Sequence, residues 1–448
     1  MSIVSSIVVV LLMLGILATI HELGHYFVAK LLKIKVYEVS IFVGPKLIRW
    51  KHKGVDFSIR LIPLGAYVRF NDVDNDGYVV ESDNPDLLAN QPRWKRLLVA
   101  MAGPFMNFVL GTLIFLGIFW VTGFTTTNIA GAYEGTQTGQ YESVINEGDK
   151  IIKVNGKRVF TAYDLMFEFD AVSVKDEMTL TLKSRENGST YEVNLIPEIR
   201  KRPMLLITVE SMADDKPYDG WKIYAVDEKQ NNGDPVLKEG DYVTHINGKS
   251  VDDDDFDEYL YTVTDDVLNV TYIRDGETYE EEIIPEYADY ASARGIALLG
   301  ERVDSLPHFG DALGFAAKMP ASIWNITVGG IRQIIEGKEE AYNLVSGPIG
   351  ITTMVNDVVT AEEDTTADKL YMLVMLSAVI SIALAFSNLL PIPGLDGVQI
   401  ILIVVEMIIG RKLSEKAENR LTIIGFVMII LLALLALVSD ILRIIFGY

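Results

Sequence analysis

The stretch ATIHELGHYFVAK, residues 18–30, places two histidines and a glutamate at the end of an apolar segment. His21 and His25 are four residues apart, so on a helix they share one face and Glu22 stands beside them. Two neutral imidazoles can hold a zinc ion, and an adjacent carboxylate can take a proton from water at that ion. The stretch predicts part of a zinc site at a helix end; two histidines that merely hydrogen-bond are the simpler alternative.

The composition of the chain is that of a membrane protein. Half of the 448 residues are hydrophobic, and the mean hydropathy is +0.25. Four long segments carry no charged side chain, namely 3–20, 97–124, 370–390 and 421–438. Because spanning about 30 Å of hydrocarbon takes roughly 20 helical residues, we expect four transmembrane helices. The first run lacks the basic flank and small-residue cleavage site of a signal peptide, so it is expected to remain as a span.

The charged residues predict the orientation of these spans. Residues 26–96 hold twelve Lys and Arg, whereas 125–140 hold none. Since basic loops stay in the cytoplasm, both termini and the central segment are expected outside. Within 123–300, 17 Lys and Arg stand against 36 Asp and Glu, which is −19 of the total −22. An acidic surface repels phosphate, so nucleic acid is excluded as a partner.

A catalytic zinc normally has three protein ligands, and the third must come from elsewhere in the chain. Cysteine is absent, which rules out a thiolate ligand and disulfides. Asp396 lies in NLLPIPGLDG, residues 388–397, where the third apolar run breaks at prolines and a glycine near the cytoplasmic side. That depth matches His21. Glu406 is the rival ligand, and a helix cap is the simpler role for Asp396.

A tandem repeat occupies the acidic central segment. NEGDKIIKVNGKRV (146–159) and KEGDYVTHINGKSV (238–251) share Gly-Asp before a strand pattern and Asn-Gly after it, and their Asn-Gly pairs are 92 residues apart. Asn-Gly between strands favours a tight hairpin turn. The repeat predicts two small β-rich domains, at 127–205 and 206–298.

Two further segments flank the spans. Residues 47–70 alternate around Gly54 and predict a β-hairpin, whose open edge could pair an extended peptide beside the zinc. A purely structural cytoplasmic hairpin is the alternative. Residues 309–335 are apolar with interspersed charges, which favours amphipathic helix on the outer membrane surface over a fifth span.

These motifs together resemble the site-2 protease family of intramembrane zinc metalloproteases, most closely its bacterial regulator-of-sigma-E protease branch. The matching stretches are HELGH, GPFMN (103–107) and NLLPIPGLDG, with IPLGAYV (62–68) and SGPIGI (346–351) in support. The resemblance implies an α-helical membrane protein with four transmembrane helices, a membrane-associated β-hairpin and two extracytoplasmic PDZ domains. Val398 and Gln399 depart from the family's usual Gly-His, and Ala66 replaces a usual glycine.

The resemblance also implies roles for individual residues. They are a general base, Glu22; three zinc ligands, His21, His25 and Asp396; and three substrate-binding residues, Gly65, Asn388 and Pro393. The implied cofactor is Zn²⁺. The implied partners are membrane lipid and transmembrane protein substrates, such as a pre-trimmed anti-sigma factor in a stress response, or signal-peptide remnants. The implied location is the bacterial inner membrane, with periplasmic PDZ domains and the active site near the cytoplasmic side.

The expected order of the chain follows from these patterns. The segments are a first span with HExxH (1–30), a cytoplasmic or membrane-associated loop with the hairpin (31–96), a second span (97–124), the two PDZ domains (127–205 and 206–298), amphipathic surface helices (305–360), a third span with Leu-Asp-Gly (370–397) and a fourth span (421–446). Two other classes stay open, a PDZ-bearing membrane adaptor with an inactive metal site and a zinc-handling membrane protein. Only a protease requires Glu22.

Overall fold

The computed structural model describes most of the chain. The described residues are 3–71, 84–132, 144–196, 199–209, 218–253, 255–291, 296–301, 306–338, 348–361, 365–392 and 394–411, with scattered residues between 423 and 441. They form two compact units. The first comprises Met1–Thr127, Arg158–Ala171 and Leu298–Tyr448, and the second comprises Asn128–Lys157 and Val172–Ala297.

Most of the helices belong to the first unit. In chain order they are α1 (Ile3–Leu31), α2 (Arg93–Thr122), α3 (Ala162–Asp170), α4 (Gln230–Gly233), α5 (Phe256–Leu260), α6 (Leu306–Ala316), α7 (Met319–Ile335), α8 (Pro348–Thr360), α9 (Thr366–Leu389) and α10 (Asp396–Ile409). Within the described residues, α1, α2 and α9 are long and apolar enough to cross a membrane. The predicted fourth span, 421–446, lies largely outside the described residues.

The strands within the described residues form four sheets. They are β1 (Glu38–His52), β2 (Val55–Arg69), β3 (Phe124–Ala132), β4 (Lys150–Val154), β5 (Lys157–Arg158), β6 (Met178–Lys183), β7 (Thr190–Leu195), β8 (Ile199–Met204), β9 (Ile207–Val209), β10 (Trp221–Val226), β11 (Tyr242–Ile246), β12 (Lys249–Ser250), β13 (Leu268–Arg274), β14 (Glu277–Ile283), β15 (Glu286–Ala291) and β16 (Ile296–Glu301). The β1–β2 hairpin belongs to the first unit.

Helix α2 is the centre of the first unit, in contact with α1, α9 and α10. Small residues allow these helices to approach closely, as is common in membranes. A Cβ on Gly24 of α1 would lie 2.4 Å from the carbonyl oxygen of Ala102, and one on Gly111 would lie 2.6 Å from Ile382 of α9. The outward faces are apolar, as Val121 shows with 85% of its surface exposed. An apolar exterior of this kind suits a lipid environment.

The β1–β2 hairpin turns at Gly54, where the alternation of the sequence predicts it. The hairpin curls, so that Ser40 of β1 pairs both with Ser58 and with Tyr67 of β2. Burial would raise the pKa of the nearby Glu38 carboxyl, but the charge and hydrogen bond of Lys46 and hydrogen bonds from Tyr67 and Arg60 lower it to about 2. The buried Glu38 carboxylate thus connects β1 with β2 within the curled hairpin.

The tandem repeat lies in the second unit except for Arg158 and Val159 of its first copy, and its two Asn-Gly pairs form equivalent turns. Asn155–Gly156 joins β4 to β5 and Asn247–Gly248 joins β11 to β12, each with positive φ at both residues. Positive φ at both central positions defines the type I′ turn, which matches the twist of paired strands. The local sequence therefore sets these hairpins.

The Gly-Asp pairs of the repeat also have equivalent roles. The carbonyl of Asp149 accepts from the amide of Ile129, and that of Asp241 accepts from the amide of Ile223. Both aspartates are buried, with 0% and 2% of their surface exposed. Their side chains accept hydrogen bonds, from the amide of Arg185 in the first copy and from the Arg274 guanidinium in the second. The motif is a structural signature of each copy.

The strand order is the same in both copies, although chain order differs. One sheet runs β16-β3-β4-β6-β7 and the other runs β9-β10-β11-β13-β14, and β8 pairs with β15. The edge strand of the first sheet is thus β16, which follows the whole second repeat in sequence. The first sheet therefore includes a strand from beyond the domain boundary that the sequence predicts at residue 205. An open sheet edge can pair with any segment that reaches it.

Candidate metal centre

Three potential ligands converge at the end of α1. Nε2 of His21 and Oδ2 of Asp396 are 2.9 Å apart, Nε2 of His25 and the same oxygen are 3.4 Å apart, and the two Nε2 atoms are 3.3 Å apart. Ligands 2.0–2.2 Å from a tetrahedral zinc are separated by about 3.3 Å. Oδ2 of Asp396 is buried and makes no hydrogen bond among the described residues. The donor set therefore fits a zinc ion with three protein ligands and one open position.

Helix α2 supports the two histidines. Nδ1 of His25 donates to the carbonyl oxygen of Val99 at 2.7 Å, which leaves Nε2 free to bind a metal. A Cβ on Gly103 would lie 2.4 Å from Nε2 of His25 and 2.6 Å from Nε2 of His21. Because the imidazoles occupy the space beside Gly103, a side chain at this position would displace them.

Asp396 reaches the histidines through a tight turn between α9 and α10. A Cβ on the neighbouring Gly397 would lie 2.2 Å from the carbonyl oxygen of Leu390 and 2.4 Å from that of Leu389. The backbone therefore doubles back closely at this point, and Asp396 is the first residue of α10. The rival ligand Glu406 lies elsewhere, where its carboxylate contacts the Arg96 guanidinium at 2.8 Å.

Glu22 stands next to the cluster and faces the hairpin. Its Oε2 accepts a hydrogen bond of 3.0 Å from the amide of Val68 in β2. The N–H of Val68 thus points away from β1, toward the metal centre. Among the described strands only β1 pairs with this part of β2, so the edge that carries Val68 has no strand on its other side.

A cavity of about 840 Å³ adjoins the cluster. Its walls come from α1, the end of β2, the first turns of α2, and α10, and they include Glu22, Val68, Arg96, Asp396 and Glu406. A space of this size exceeds what one water needs and is within the range of ligand pockets. The cavity can accommodate a short extended peptide between the hairpin edge and the three ligands.

The predicted substrate-binding residues have different surroundings. Asn388 lies in the last turn of α9 and is partly buried. Gly65 lies in β2 with a φ of +76°, and of the residues that the structure describes only Val43 comes within 4 Å of a Cβ built there. Pro393 lies outside the described residues. Neither Asn388 nor Gly65 lines the cavity, whereas Val68, three residues after Gly65, does.

The structure adds residues for which sequence reasoning predicts no role. Arg96 is one of the twelve Lys and Arg in residues 26–96, which indicate only the orientation of the spans. Val68 acts through its backbone, which no side-chain pattern reveals. Asn107 ends the GPFMN motif, one helical turn after Gly103, with 1% of its surface exposed. Neither amide atom of its side chain has a partner among the described residues. The helical spacing from Gly103 is the signal that could have drawn attention to it.

The fold and the site define a class, which is a membrane protein with a His-His-Asp metal centre at the end of an apolar helix. The model of Peptidase family M50 matches residues 9–432, and the chain belongs to that family. The match confirms three predictions. The chain belongs to the predicted family, it is a protease that acts on protein substrates, and its cofactor is zinc.

Relatives from several bacteria align over almost their whole length. A protein from Clostridium acetobutylicum is 26% identical over 437 residues, which are 97% of each chain. A Vibrio cholerae protein is 27% identical over 455 residues, 96% of this chain and 97% of the relative. One from Thermotoga maritima is 25% identical over 499 residues, 96% of this chain and 98% of the relative. All three are named as zinc metalloproteases.

Proposed function

We propose that this protein is an intramembrane zinc endopeptidase that cuts single-pass transmembrane segments near their cytoplasmic ends. The observation that carries the proposal is the convergence of three donor atoms, all within 4.8 Å of one another, at the end of an apolar helix. Ionisable groups within a membrane segment are costly and are usually functional. In this reading His21, His25 and Asp396 hold the zinc.

The chemistry needs one further group, which Glu22 provides. Zinc, when bound, polarises a peptide carbonyl and makes water acidic enough to lose a proton near neutral pH. Glu22 takes that proton from the attacking water and returns it to the leaving amine. The hydrogen bond from Val68 at 3.0 Å orients the Glu22 carboxylate toward the cavity.

The hairpin edge is the proposed binding site for the substrate backbone. A helical peptide bond is shielded by its own hydrogen bonds, so a transmembrane substrate must unwind into an extended strand before cleavage. The edge of β2 around Val68 lies beside the cavity, and its main-chain groups other than the Val68 amide, which donates to Glu22, are proposed to pair with such a strand. Gly65, Asn388 and Pro393 are proposed to help hold the substrate, as the family resemblance implies.

Residues 127–205 and 206–298 are proposed to form two PDZ domains that control access. The equivalent Gly-Asp and Asn-Gly elements of the two copies support a duplication of one module. With −19 of the net charge of −22 in 123–300, the domains are proposed to lie in the periplasm of a bacterial inner-membrane protein with four spans. They would exclude substrates with bulky external domains, so that pre-trimmed anti-sigma factors or signal-peptide remnants are admitted.

The test is a comparison of zinc content and cleavage in purified variants. We expect Glu22→Gln to keep its zinc and to lose cleavage of a model transmembrane substrate, because only the proton carrier is removed. His21→Ala, His25→Ala and Asp396→Ala should lose both. Full zinc occupancy in Asp396→Ala would assign the third position to Glu406 or water.

The same comparison distinguishes a membrane adaptor with an inactive metal site. An adaptor does not use a proton carrier, so its activity would survive Glu22→Gln. Asp265→Asn is a matched control, since this exposed carboxylate lies in the second unit between α5 and β13. It should leave zinc content and cleavage unchanged.

A further inference from the structure

Glu406 is a buried acid that the proposed reaction does not use. Only 1% of its surface is exposed, although it sits in the apolar helix α10. Its Oε2 accepts a hydrogen bond of 2.8 Å from Nη1 of Arg96, at the start of α2. A buried carboxylate is costly unless it is paired, and in some proteins a buried polar or ionic group is retained because it sets the register of two elements. The two residues therefore link α2 and α10 at one defined position.

A second contact reinforces this link at the same end of α10. Nη2 of Arg93 donates to the carbonyl oxygen of Gly410 at 2.7 Å, and Gly410 is the residue that ends the helix. Arg93 and Arg96 lie one turn apart on α2, as do Glu406 and Gly410 on α10. The distal end of α10 is thus attached to the first turn of α2 by two arginines.

The opposite end of α10 begins with Asp396, so the position of the helix determines where this carboxylate lies. Helix α2 also holds the other half of the cluster, through the hydrogen bond from His25 to Val99. Val99 follows Arg96 by three residues. Both halves of the metal centre are therefore positioned against the same short part of α2.

We propose that the Arg96–Glu406 ion pair is a positioning device that sets the register of α10 on α2 and so brings Asp396 to His21 and His25. The inference rests on the proposed role of Asp396 as a zinc ligand. Apolar contacts between α2 and α10 alone are not directional and tolerate sliding. The ion pair is directional, because the Arg guanidinium presents its donors in a rigid plane.

The test measures zinc affinity of the full-length protein in lipid nanodiscs, by competition with a chelator. We expect Glu406→Gln and Arg96→Met to weaken zinc binding by about 10- to 100-fold, the range seen when groups that orient metal ligands are removed. Arg96→Lys keeps a cation near Glu406 but loses the rigid planar donors, so it should weaken zinc binding less than Arg96→Met and more than the control. Glu336→Gln is the matched control, because its ion pair with Lys338 is exposed, and it should have no effect.

A rescue experiment separates positioning from a general loss of stability. Because the chain has no cysteine, Arg96→Cys/Glu406→Cys can be joined by a short bifunctional thiol reagent. The unlinked double variant should bind zinc weakly, and the linked one should recover affinity without either charge. Unfolding temperatures of the zinc-free proteins are compared in parallel. The proposal would be overturned if the variants lost zinc affinity only in proportion to the fall in their unfolding temperature and linking the cysteines restored no affinity.

Asp396→Ala distinguishes the failure of this inference from that of the proposed function. If Asp396→Ala loses zinc while Glu406→Gln and Arg96→Met bind it as tightly as the wild type, the ion pair has no positioning role and the ligand assignment stands. If Asp396→Ala keeps its zinc, the ligand assignment fails and the positioning inference fails with it.

Discussion

Replacement of Gly103 by alanine tests the metal centre without replacing any proposed ligand. The added Cβ would lie 2.4 Å from Nε2 of His25 and 2.6 Å from both Cε1 and Nε2 of His21. Both imidazoles meet the new methyl group at the atoms proposed to bind zinc. Because Gly103 lies inside α2 with ordinary helical geometry, alanine favours the helix itself, by about 1 kcal/mol relative to glycine.

The magnitude follows from the displacement that the methyl group demands. A carbon and a nitrogen in contact are roughly 3.5 Å apart, so the imidazoles or the helix must move by about 1 Å. A misplacement of about 1 Å can reduce catalysis 10²-fold, which corresponds to about 2.7 kcal/mol in the activation free energy. We expect Gly103→Ala to lower kcat/KM at least about 100-fold and to weaken zinc binding as well.

Two other glycines of α2 provide matched controls. Among the described residues nothing lies within 4 Å of a Cβ on Gly117, so Gly117→Ala should keep full zinc affinity and activity. A Cβ on Gly111 would lie 2.6 Å from Ile382, so Gly111→Ala should disturb helix packing and lower the unfolding temperature while zinc binding is largely kept. The assay combines chelator competition, cleavage of a model transmembrane substrate and thermal unfolding. Wild-type zinc affinity in Gly103→Ala would refute the arrangement of the imidazoles against α2.

Three further predictions concern the rest of the chain. The pKa of Glu38 is lowered from 4.5 to about 2, so its ion pairs should stabilise the hairpin fully above pH 4.5 and lose this effect as the pH falls toward 2. Hydrogen exchange of the hairpin amides should therefore become faster over this pH range. Glu38→Gln should remove the pH dependence. Cysteines at positions 53 and 411 should be protected from membrane-impermeant reagents in intact cells while one at position 175 is labelled, and the reverse pattern would overturn the orientation. A protein in which residues 127–298 are deleted and the ends joined should still bind zinc and should also cleave substrates with intact external domains. If it binds zinc but no longer cleaves pre-trimmed substrates, the domains deliver substrate and do not exclude it.

Much of the local structure could be predicted from the sequence because it depends on short-range patterns. His21 and His25 share a helix face by their spacing alone, and the apolar runs of α1, α2 and α9 are long enough to span a membrane. The Asn-Gly turns of the second unit follow from the positive φ that glycine and asparagine tolerate. Each of these features is decided within a few residues or by the length of one segment.

The choice between the two rival carboxylates needed the tertiary structure. Asp396 and Glu406 lie on the same helix, ten residues and therefore about 15 Å apart, and either is compatible with the sequence pattern. Only the register of α10 on α2 brings Asp396 to 2.9 Å from His21 and directs Glu406 to Arg96. That register results from contacts between segments about 300 residues apart, which no local pattern contains.

The sequence by itself determined which residue types are available for zinc chemistry, which helices are apolar and where the repeated modules turn. The tertiary structure decided which residues meet. It directed the amide of Val68 to Glu22, placed the imidazoles against Gly103, and gave the first repeat a sheet edge, β16, from beyond the second. The physical reason is one of range. Helix caps, tight turns and hydrophobic periodicity depend on residues that are close in sequence, whereas packing depends on the shape and hydrogen bonding of surfaces formed by residues far apart in sequence.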